Sequence, residues 1–290
     1  MAIPPDLGPS AELPPSKYLS STLDAMVTAM SVMHNLLSLH LLVGVGGAES
    51  VVGAALSRLV PMAPFRLQFF STNMVITEEI ASFLESQPDI RDLESRGWFS
   101  DHVLLGQSSV LSNPRVLPRL MCLRYPARGV EKVVRGKPVQ KLRVMVAGDT
   151  GIQDVVFAIN ASAASVTTLE VNFTDCHLVY PFLKALALMR YPDRRMGVAG
   201  EGCLVETLTI WVNDHSRPYP GAFIDPDLDP AFLAFMRHGF PRLHTLSWMG
   251  NLVPPAAWKP EQYAGRALRM VKGRTNLCEF LENEGKWVAR

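Results

Sequence analysis

A seven-residue pattern of apolar and polar positions recurs along the chain. The pattern is apolar-x-x-Leu-x-apolar-x. The segments that match it are LLSLHLL (36–42), PFRLQFF (64–70), IRDLESR (90–96), LPRLMCL (117–123), VQKLRVM (139–145), VTTLEVN (166–172), VETLTIW (205–211), LHTLSWM (243–249) and, more weakly, GRALRMV (265–271). Their central leucines are Leu39, Leu67, Leu93, Leu120, Leu142, Leu169, Leu208, Leu246 and Leu268. A recurrence on this scale indicates a repeated structural unit.

The positions around each central leucine predict a short strand. The residue before it and the residue after it are each polar in eight of the nine segments, and the residue two after it is polar only at Ser95. Alternation with a period of two is typical of a strand with one buried and one solvated face. The central leucines are therefore expected in the core. Their separations run from 22 residues (Leu120 to Leu142) to 39 (Leu169 to Leu208), mostly in or beside the roughly 20–29 residues of leucine-rich repeats.

The segments between the predicted strands carry helix signals. Thr77 precedes EEIASFLESQ, whose acidic residues suit the first turn of a helix, and Thr150 with Gln153 forms a capping box. Asp229 followed by Pro230 is an N-cap with a first-turn proline. The predicted helices are 17–34, a helix beginning after Thr77, 152–164, 178–191 with Pro181 in its first turn, 231–240 and 277–287.

Strands that alternate with helices admit two architectures. In a doubly wound α/β sheet, helices cover both faces and each strand is a continuous apolar run. The strands of this chain alternate instead, which leaves one sheet face uncovered. This favours an α/β fold built as an irregular leucine-rich-repeat solenoid, with parallel strands on the concave face and helices on the convex face. A closed α/β sheet would have to bury the polar positions, at about 1–3 kcal/mol for each unsatisfied group.

The chain divides into three parts under this interpretation. Residues 1–16 hold five of the 22 prolines and are expected to form a disordered tail. Residues 17–275 form the repeat array, which begins with 17–34 as an N-terminal capping helix. Residues 276–290 are expected to form a C-terminal capping helix, opened by Asn276 and Glu279.

The position three after each central leucine is a candidate part of a binding surface. It is apolar in seven of nine segments, in the order Leu42, Phe70, Arg96, Leu123, Met145, Asn172, Trp211, Met249 and Val271. Either these side chains turn back under the helices, or they form an exposed apolar stripe that marks a protein-binding surface. The second alternative predicts a partner on the concave face, bound by Lys141, Arg143, Met145, Glu170, Asn172, Thr209, Trp211, Ser247 and Met249.

Composition and charge limit which classes of partner, and which cellular compartments, we expect for this chain. With 28 Lys and Arg against 27 Asp and Glu the net charge is +1, which gives no field to attract nucleic acid. No apolar run approaches the roughly 18 residues of a membrane helix, and residues 1–16 lack the basic and apolar regions of a signal peptide. The four cysteines form no CxxC pair. We therefore expect reduced thiols, no membrane partner, and a cytoplasmic or nuclear location.

Motifs that carry chemistry are weak in this sequence. The cluster Gly44, Gly46 and Gly47 lacks the third glycine of a dinucleotide loop at the required spacing. The triplet Asp175-Cys176-His177 is adjacent in sequence, whereas nucleophilic dyads normally meet through folding. The seven histidines show no HxH or HxxxH spacing. We therefore expect no catalytic residues, no cofactor and no metal, and a non-enzymatic protein; the alternative is an α/β enzyme with an unrecognised active site.

Three stretches of the chain carry a family resemblance. They are FLESQPDIRDLE (83–94), the segment 117–145 with its element Gly136-Lys137-Pro138-Val139, and FLAFMRHGFPRLHTLSW (232–248). These repeats resemble the irregular leucine-rich repeats of fungal F-box proteins over about residues 36–250. The resemblance implies the substrate-recognition half of a cullin ubiquitin-ligase receptor. The F-box of that family binds a Skp-type adaptor; residues 1–35 contain no recognisable F-box, so such a partner would require one upstream. The alternative is a repeat-protein regulator unrelated to ubiquitin.

Overall fold

The computed structural model describes residues 16–43, 49–95, 109–192, 199–201, 203–212, 239–243, 245–250, 278–281 and 286–289. The predicted tail 1–16 (except Ser16), the glycine cluster 44–47, most of the predicted helix 231–240 and the weakest repeat, 265–271, lie outside these residues.

One large sheet organises the described residues, and its strands follow one another in sequence order. The order is β1-β2-β3-β4-β5-β6-β9-β10-β11-β12. Neighbours are parallel from β1 to β10, and β11 and β12 are added in antiparallel fashion. The strands are β1 (Ser38–Leu41), β2 (Phe69–Thr72), β3 (Asp92–Ser95), β4 (Cys122–Pro126), β5 (Lys141–Val146), β6 (Thr168–Phe173), β9 (Thr207–Val212), β10 (Thr245–Gly250), β11 (Cys278–Leu281) and β12 (Lys286–Ala289); β7 (Arg190–Pro192) and β8 (Ala199–Glu201) form a separate antiparallel pair.

Helices connect the strands. They are α1 (Ser16–Met30), α2 (Glu49–Leu59), α3 (Glu78–Glu85), α4 (Val130–Val134), α5 (Asp149–Ala161) and α6 (Val179–Ala187), with 3-10 turns at Ser109–Ser112 and Cys176–Leu178. Thr77 is the N-cap of α3 as predicted, and its hydroxyl accepts a hydrogen bond from the Ile80 N–H. The capping box at Thr150 was wrong: α5 begins after Gly148, which places Thr150 inside the first turn.

The two faces of the sheet differ in burial as the alternation predicts. Along β3, β5, β6 and β9 buried and half-buried residues alternate without exception. The buried side chains join those of α3, α4, α5 and α6 in one hydrophobic cluster, so the helices pack on this face. Phe173 of β6, for example, meets Phe182 of α6 edge to face, with ring centroids 5.3 Å apart. The fold is therefore α/β, with a parallel sheet covered by helices.

The register of the sheet corrects two of the predicted strands. The residues paired across it are Leu39, Phe70, Leu93, Leu123, Leu142, Leu169, Leu208 and Leu246. Phe70 and Leu123 stand in this column in place of Leu67 and Leu120, which lie three residues earlier. All four are nevertheless buried. The reason is that the residue three before each paired core residue also faces the core. A leucine at that position therefore matches the sequence pattern of the central leucine.

Four of the other central leucines are buried, as predicted. Leu93, Leu142, Leu169 and Leu208 are at most 1% exposed. Leu39 is only half-buried, because among the described residues β1 has a neighbour on one side alone. The side chain of Leu246 and the whole of Leu268 lie outside the description.

A backbone hydrogen-bond pattern repeats from strand to strand. Just before each strand, one carbonyl accepts from two successive N–H groups of the next repeat; Leu37, for example, accepts from Gln68 and Phe69 at 2.8 and 3.1 Å. The same arrangement recurs at six successive junctions of the described chain, with acceptors Leu37, Gln68, Arg91, Met121, Gln140 and Thr167. The pattern satisfies backbone groups that would otherwise be unpaired where the chain turns into the sheet.

The predicted C-terminal capping helix over 276–290 was wrong. Cys278–Leu281 and Lys286–Ala289 are strands, and Glu279 of the first pairs with Ser247 of β10. The physical reason is that pairing with the edge of an existing sheet outweighs a short capping signal.

A buried lysine supports the turn between α4 and β5. Lys137 is fully buried, and its Nζ donates to the carbonyls of Leu111 and Val133, both at 2.7 Å. Gly136 before it has a φ of 71°, a left-handed conformation that favours glycine. The Ser162 hydroxyl lies 3.0 Å from the Lys137 carbonyl and ties this turn to the end of α5. The element Gly136-Lys137-Pro138-Val139 is thus a structural corner.

We expect replacement of the central leucines to be strongly destabilising. Leu142→Ala, Leu169→Ala and Leu208→Ala should each lower the free energy of unfolding by about 2–5 kcal/mol, because each leaves a cavity in the packed face of the sheet. Urea unfolding measures the loss. Gln140→Ala, at an exposed position of the same region, is the control and should stay within about 0.5 kcal/mol. Losses below about 1 kcal/mol at all three leucines would contradict the core described above.

Lys137 should make stability depend on pH. Burial lowers its pKa from 10.5 to about 8, so between these values the unfolded chain binds a proton that the folded chain does not. Stability contributed by this group therefore rises with pH from about 8 to 10.5, by up to about 3 kcal/mol. Burial raises the pKa of Cys203 to about 12 and of Cys122 to about 11, and these thiols act in the opposite direction above pH 9.

Comparison with Lys137→Met separates the two effects, because the thiols are common to both proteins. The free energy of unfolding of the wild type minus that of the variant should rise between pH 8 and 10.5, whatever the variant's absolute stability. Unfolding in urea at several pH values measures it. A difference that is flat or falls over this range would show that Lys137 is protonated in the fold.

Candidate functional site

The sheet face away from the core cluster, which we call the open face, corresponds to three rows of residues that cross the strands. The register defines them. The lower row is Phe69, Asp92, Cys122, Lys141, Thr168, Thr207 and Thr245; the middle row is Ser71, Glu94, Arg124, Arg143, Glu170, Thr209 and Ser247; the upper row is Pro126, Met145, Asn172, Trp211 and Met249. From β3 to β9 their members are half-buried, so the face is accessible but closely packed.

The register places the nine predicted partner-binding residues in these rows, and the seven whose side chains are described lie together on the open face. Lys141 lies in the lower row. The middle row holds Arg143, Glu170, Thr209 and Ser247, and the upper row holds Met145, Asn172, Trp211 and Met249. The side chains of Ser247 and Met249 lie outside the description. Whether these residues bind a partner remains a prediction.

The predicted apolar stripe contains fewer residues than the sequence indicated. Phe70 and Leu123, two of its seven apolar members, belong to the core column and are at most 1% exposed. The upper-row residue that corresponds to Leu123 is Pro126 on β4. Met145 and Trp211 are on the open face and half-buried, so they do not turn back under the helices. Leu42, beyond the end of β1, is 62% exposed.

The middle row is a ladder of charges in the order acid, base, base, acid. Glu94, Arg124, Arg143 and Glu170 stand on four adjacent strands in register. The outer acids neutralise the inner bases: Arg124 forms an ion pair with Glu94, and Arg143 Nε lies 2.7 Å from Glu170 Oε2. The Ser71 hydroxyl also donates to Glu94, at 3.3 Å. The charges of this row are thus largely satisfied within the sheet.

Two buried donors on the open face lack an aligned acceptor. They are Arg143 Nε and Trp211 Nε1, the one a member of the middle row and the other of the upper row. The Arg143 contact with Glu170 has the distance of an ion pair, but its N–H direction does not meet the geometry of a hydrogen bond. An unpaired buried donor costs about 1–3 kcal/mol, so this part of the described surface is less well satisfied than the core.

A shallow depression of about 100 Å³ lies between the lower and middle rows, over β3, β4 and β5. Asp92, Cys122 and Lys141 follow one another along its lower side in register, and Phe69 closes one end. Sequence reasoning missed Asp92, Cys122 and Arg124. The three-residue error at Leu120 put Cys122 in the apolar column; a shift to Leu123 would have placed Cys122 and Arg124 in the polar ones.

The thiol in the depression is not activated. Burial, followed by the hydrogen bond and the charge of Asp92, raises the pKa of Cys122 to about 11, against the opposing effect of Lys141 and Arg143. At neutral pH the group is a protonated thiol, which is a poor nucleophile and metal ligand. The Cys122 thiol is therefore not poised for covalent catalysis.

The other chemical candidates have structural explanations or fall outside the description. The Asp175 carboxylate accepts from the backbone N–H of His177 at 2.8 Å, which is a turn contact. The described residues hold no group of three or more His, Cys, Asp or Glu side chains arranged to bind a metal ion. Among the described helices, none has the length and apolar character needed to cross a bilayer.

Comparison of the chain with protein-family models, with curated proteins and with solved structures gives no match. A functional interpretation therefore depends on the residues of the open face and on their geometry.

Proposed function

We propose that the chain is a non-enzymatic leucine-rich-repeat scaffold that binds a protein partner on its open face. In this proposal the parallel strands line the concave face of a solenoid and the helices form its convex face. The role resembles that of the substrate-recognition repeats of an F-box ubiquitin-ligase receptor, in the cytoplasm or nucleus.

The repeated backbone supports the solenoid part of the proposal. Strands follow in sequence order from β1 to β6, each described helix contacts the next helix or 3-10 turn along the chain, and the same two-donor carbonyl recurs at six junctions. A solenoid is the architecture in which each unit contacts only its neighbours. A doubly wound sheet would instead reverse its strand order and place helices on both faces.

The open face carries the functional part of the proposal. It combines arginine, methionine and tryptophan, here Arg143, Met145 and Trp211, with a rim of polar side chains. Arginine, methionine and aromatic residues are enriched at protein interfaces, and arginine and tryptophan are frequent among the residues that dominate binding energy. The single observation behind the proposal is that these side chains share one sheet face on which none of the described helices packs.

Replacing Trp211 and Arg143 together should abolish capture of the partner. The immobilised double variant Trp211→Ala, Arg143→Ala should lose the proteins that the wild type retains from a cell extract, as identified by mass spectrometry, because both side chains lie on the proposed surface. The matched control is Tyr180→Ala, Arg135→Ala, an exposed aromatic and an exposed arginine on helix-side elements. Thermal unfolding of both variants should stay within a few degrees of the wild type. Unchanged capture by the Trp211 and Arg143 variant would refute the concave-face proposal.

A separate experiment tests the connection to ubiquitin. If the reading frame encodes an F-box before residue 1, co-expression of a Skp-type adaptor with its product should give a stable complex, because the F-box is the part that such an adaptor binds. Deletion of the F-box from that product is the control. If no adaptor co-purifies, the ligase role is excluded and the scaffold is a repeat-protein regulator unrelated to ubiquitin.

A further inference from the structure

The depression between the lower and middle rows has two kinds of charged group around it. Those of the middle row are already paired, Arg124 with Glu94 and Arg143 with Glu170. Those of the lower row, Asp92 and Lys141, take part in no ion pair with any residue that the structure describes. Within the described residues, the charged groups of this surface that lack an ion pair are therefore one acid, which is hydrogen-bonded to the Cys122 thiol, and one base.

The register fixes how these two charges are placed. Asp92 on β3 pairs with Cys122 on β4, and Cys122 pairs with Lys141 on β5. Two strand spacings put their backbones roughly 10 Å apart. The Cys122 thiol lies between them and responds to both: the charge of Asp92 raises its pKa and the charge of Lys141 lowers it. Acid, thiol and base thus form one line along the lower side of the depression.

We propose that this depression binds an extended segment of the partner protein that presents a cationic side chain to Asp92 and an anionic side chain to Lys141. The inference rests on the proposed function and specifies the chemistry of the partner. An apolar side chain next to the cation would contact Phe69, which closes the same end of the depression as Asp92.

The dimensions favour an extended peptide over other occupants. A free α-amino acid carries its charged groups only a few bond lengths apart and does not span roughly 10 Å. The two rows are two residues apart on each strand, about 7 Å, which is narrower than the 10–12 Å diameter of a helix. In a polyproline II segment, residues three apart lie on one side at about 9 Å. The expected spacing of cation and anion is therefore three residues.

Synthetic peptides test this spacing directly. The probes are acetylated and amidated decapeptides of serine and alanine, with one Lys and one Glu at every separation from one to seven residues and in both orders, measured by fluorescence anisotropy. The peptide whose Lys and Glu are three residues apart, in one of the two orders, should bind most tightly. Asp92→Asn and Lys141→Gln should each weaken it by about threefold to tenfold, the range of partly exposed charge pairs. Arg119→Gln, at an exposed ion pair with Asp89 outside the depression, is the matched control and should bind like the wild type.

Exchange of the two charges gives the most specific result. In Asp92→Lys, Lys141→Asp, the preferred order of Lys and Glu along the peptide should reverse while the preferred separation stays the same. The bound peptide should also slow alkylation of Cys122 at least about threefold, mapped by mass spectrometry, because the thiol lies between the two charges. The far-ultraviolet circular dichroism of each variant verifies that it folds.

Three results would overturn the inference. They are an affinity that ignores the order of the charges, an unchanged rate of Cys122 alkylation, and an absence of binding by every charged peptide. Self-association of the chain that Asp92→Asn abolishes would likewise overturn it, since the occupant would then be a second copy. None of these decides the proposed function, which depends on capture by Trp211 and Arg143; loss of the scaffold role would appear there.

Discussion

The register of the parallel sheet is the constraint on which the rest of the structure depends. One face of β3, β4, β5, β6 and β9 is buried, so a slip by one residue would move the whole apolar set of a strand into solvent. The core column, exemplified by Leu142, Leu169 and Leu208, fixes the register through burial. The carbonyls before each strand fix it again through the backbone. Because both constraints recur from strand to strand, the polar positions between them are forced into rows.

The open face can hold charge because none of the described helices packs on it. A parallel sheet that is buried on both faces would have to desolvate the glutamates and arginines of the middle row. Here Arg124 and Arg143 stand directly opposite each other, an arrangement that is unfavourable for like charges. Glu94 and Glu170 on the outer strands compensate it. Asp92 and Lys141 of the lower row form no such ion pair with any described residue, so their charges are less compensated than those of the middle row.

The sequence predicted the α/β class and much of the sheet, and its errors have physical causes. Period-two alternation is a local signal, so the strands around Leu93, Leu142, Leu169 and Leu208 could be found from their own residues. At Leu67 and Leu120 two positions three residues apart both face the core, and composition alone does not distinguish them. The C-terminal strands depend on an edge supplied by β10, a non-local contact that residues 278–289 do not reveal.

The predicted resemblance to fungal F-box repeats bears differently on fold and on function. Its most specific element, Gly136-Lys137-Pro138-Val139, proves to be a corner in which a left-handed glycine precedes a fully buried lysine. Such residues are required by the turn and its carbonyl acceptors, whichever partner the protein binds. The candidate site instead consists of Asp92, Lys141, Arg143 and Trp211, whose positions the repeat fixes but whose chemistry it leaves free. The chemistry of the candidate site therefore lies in the rows of the open face, whose side chains the backbone constraint does not dictate.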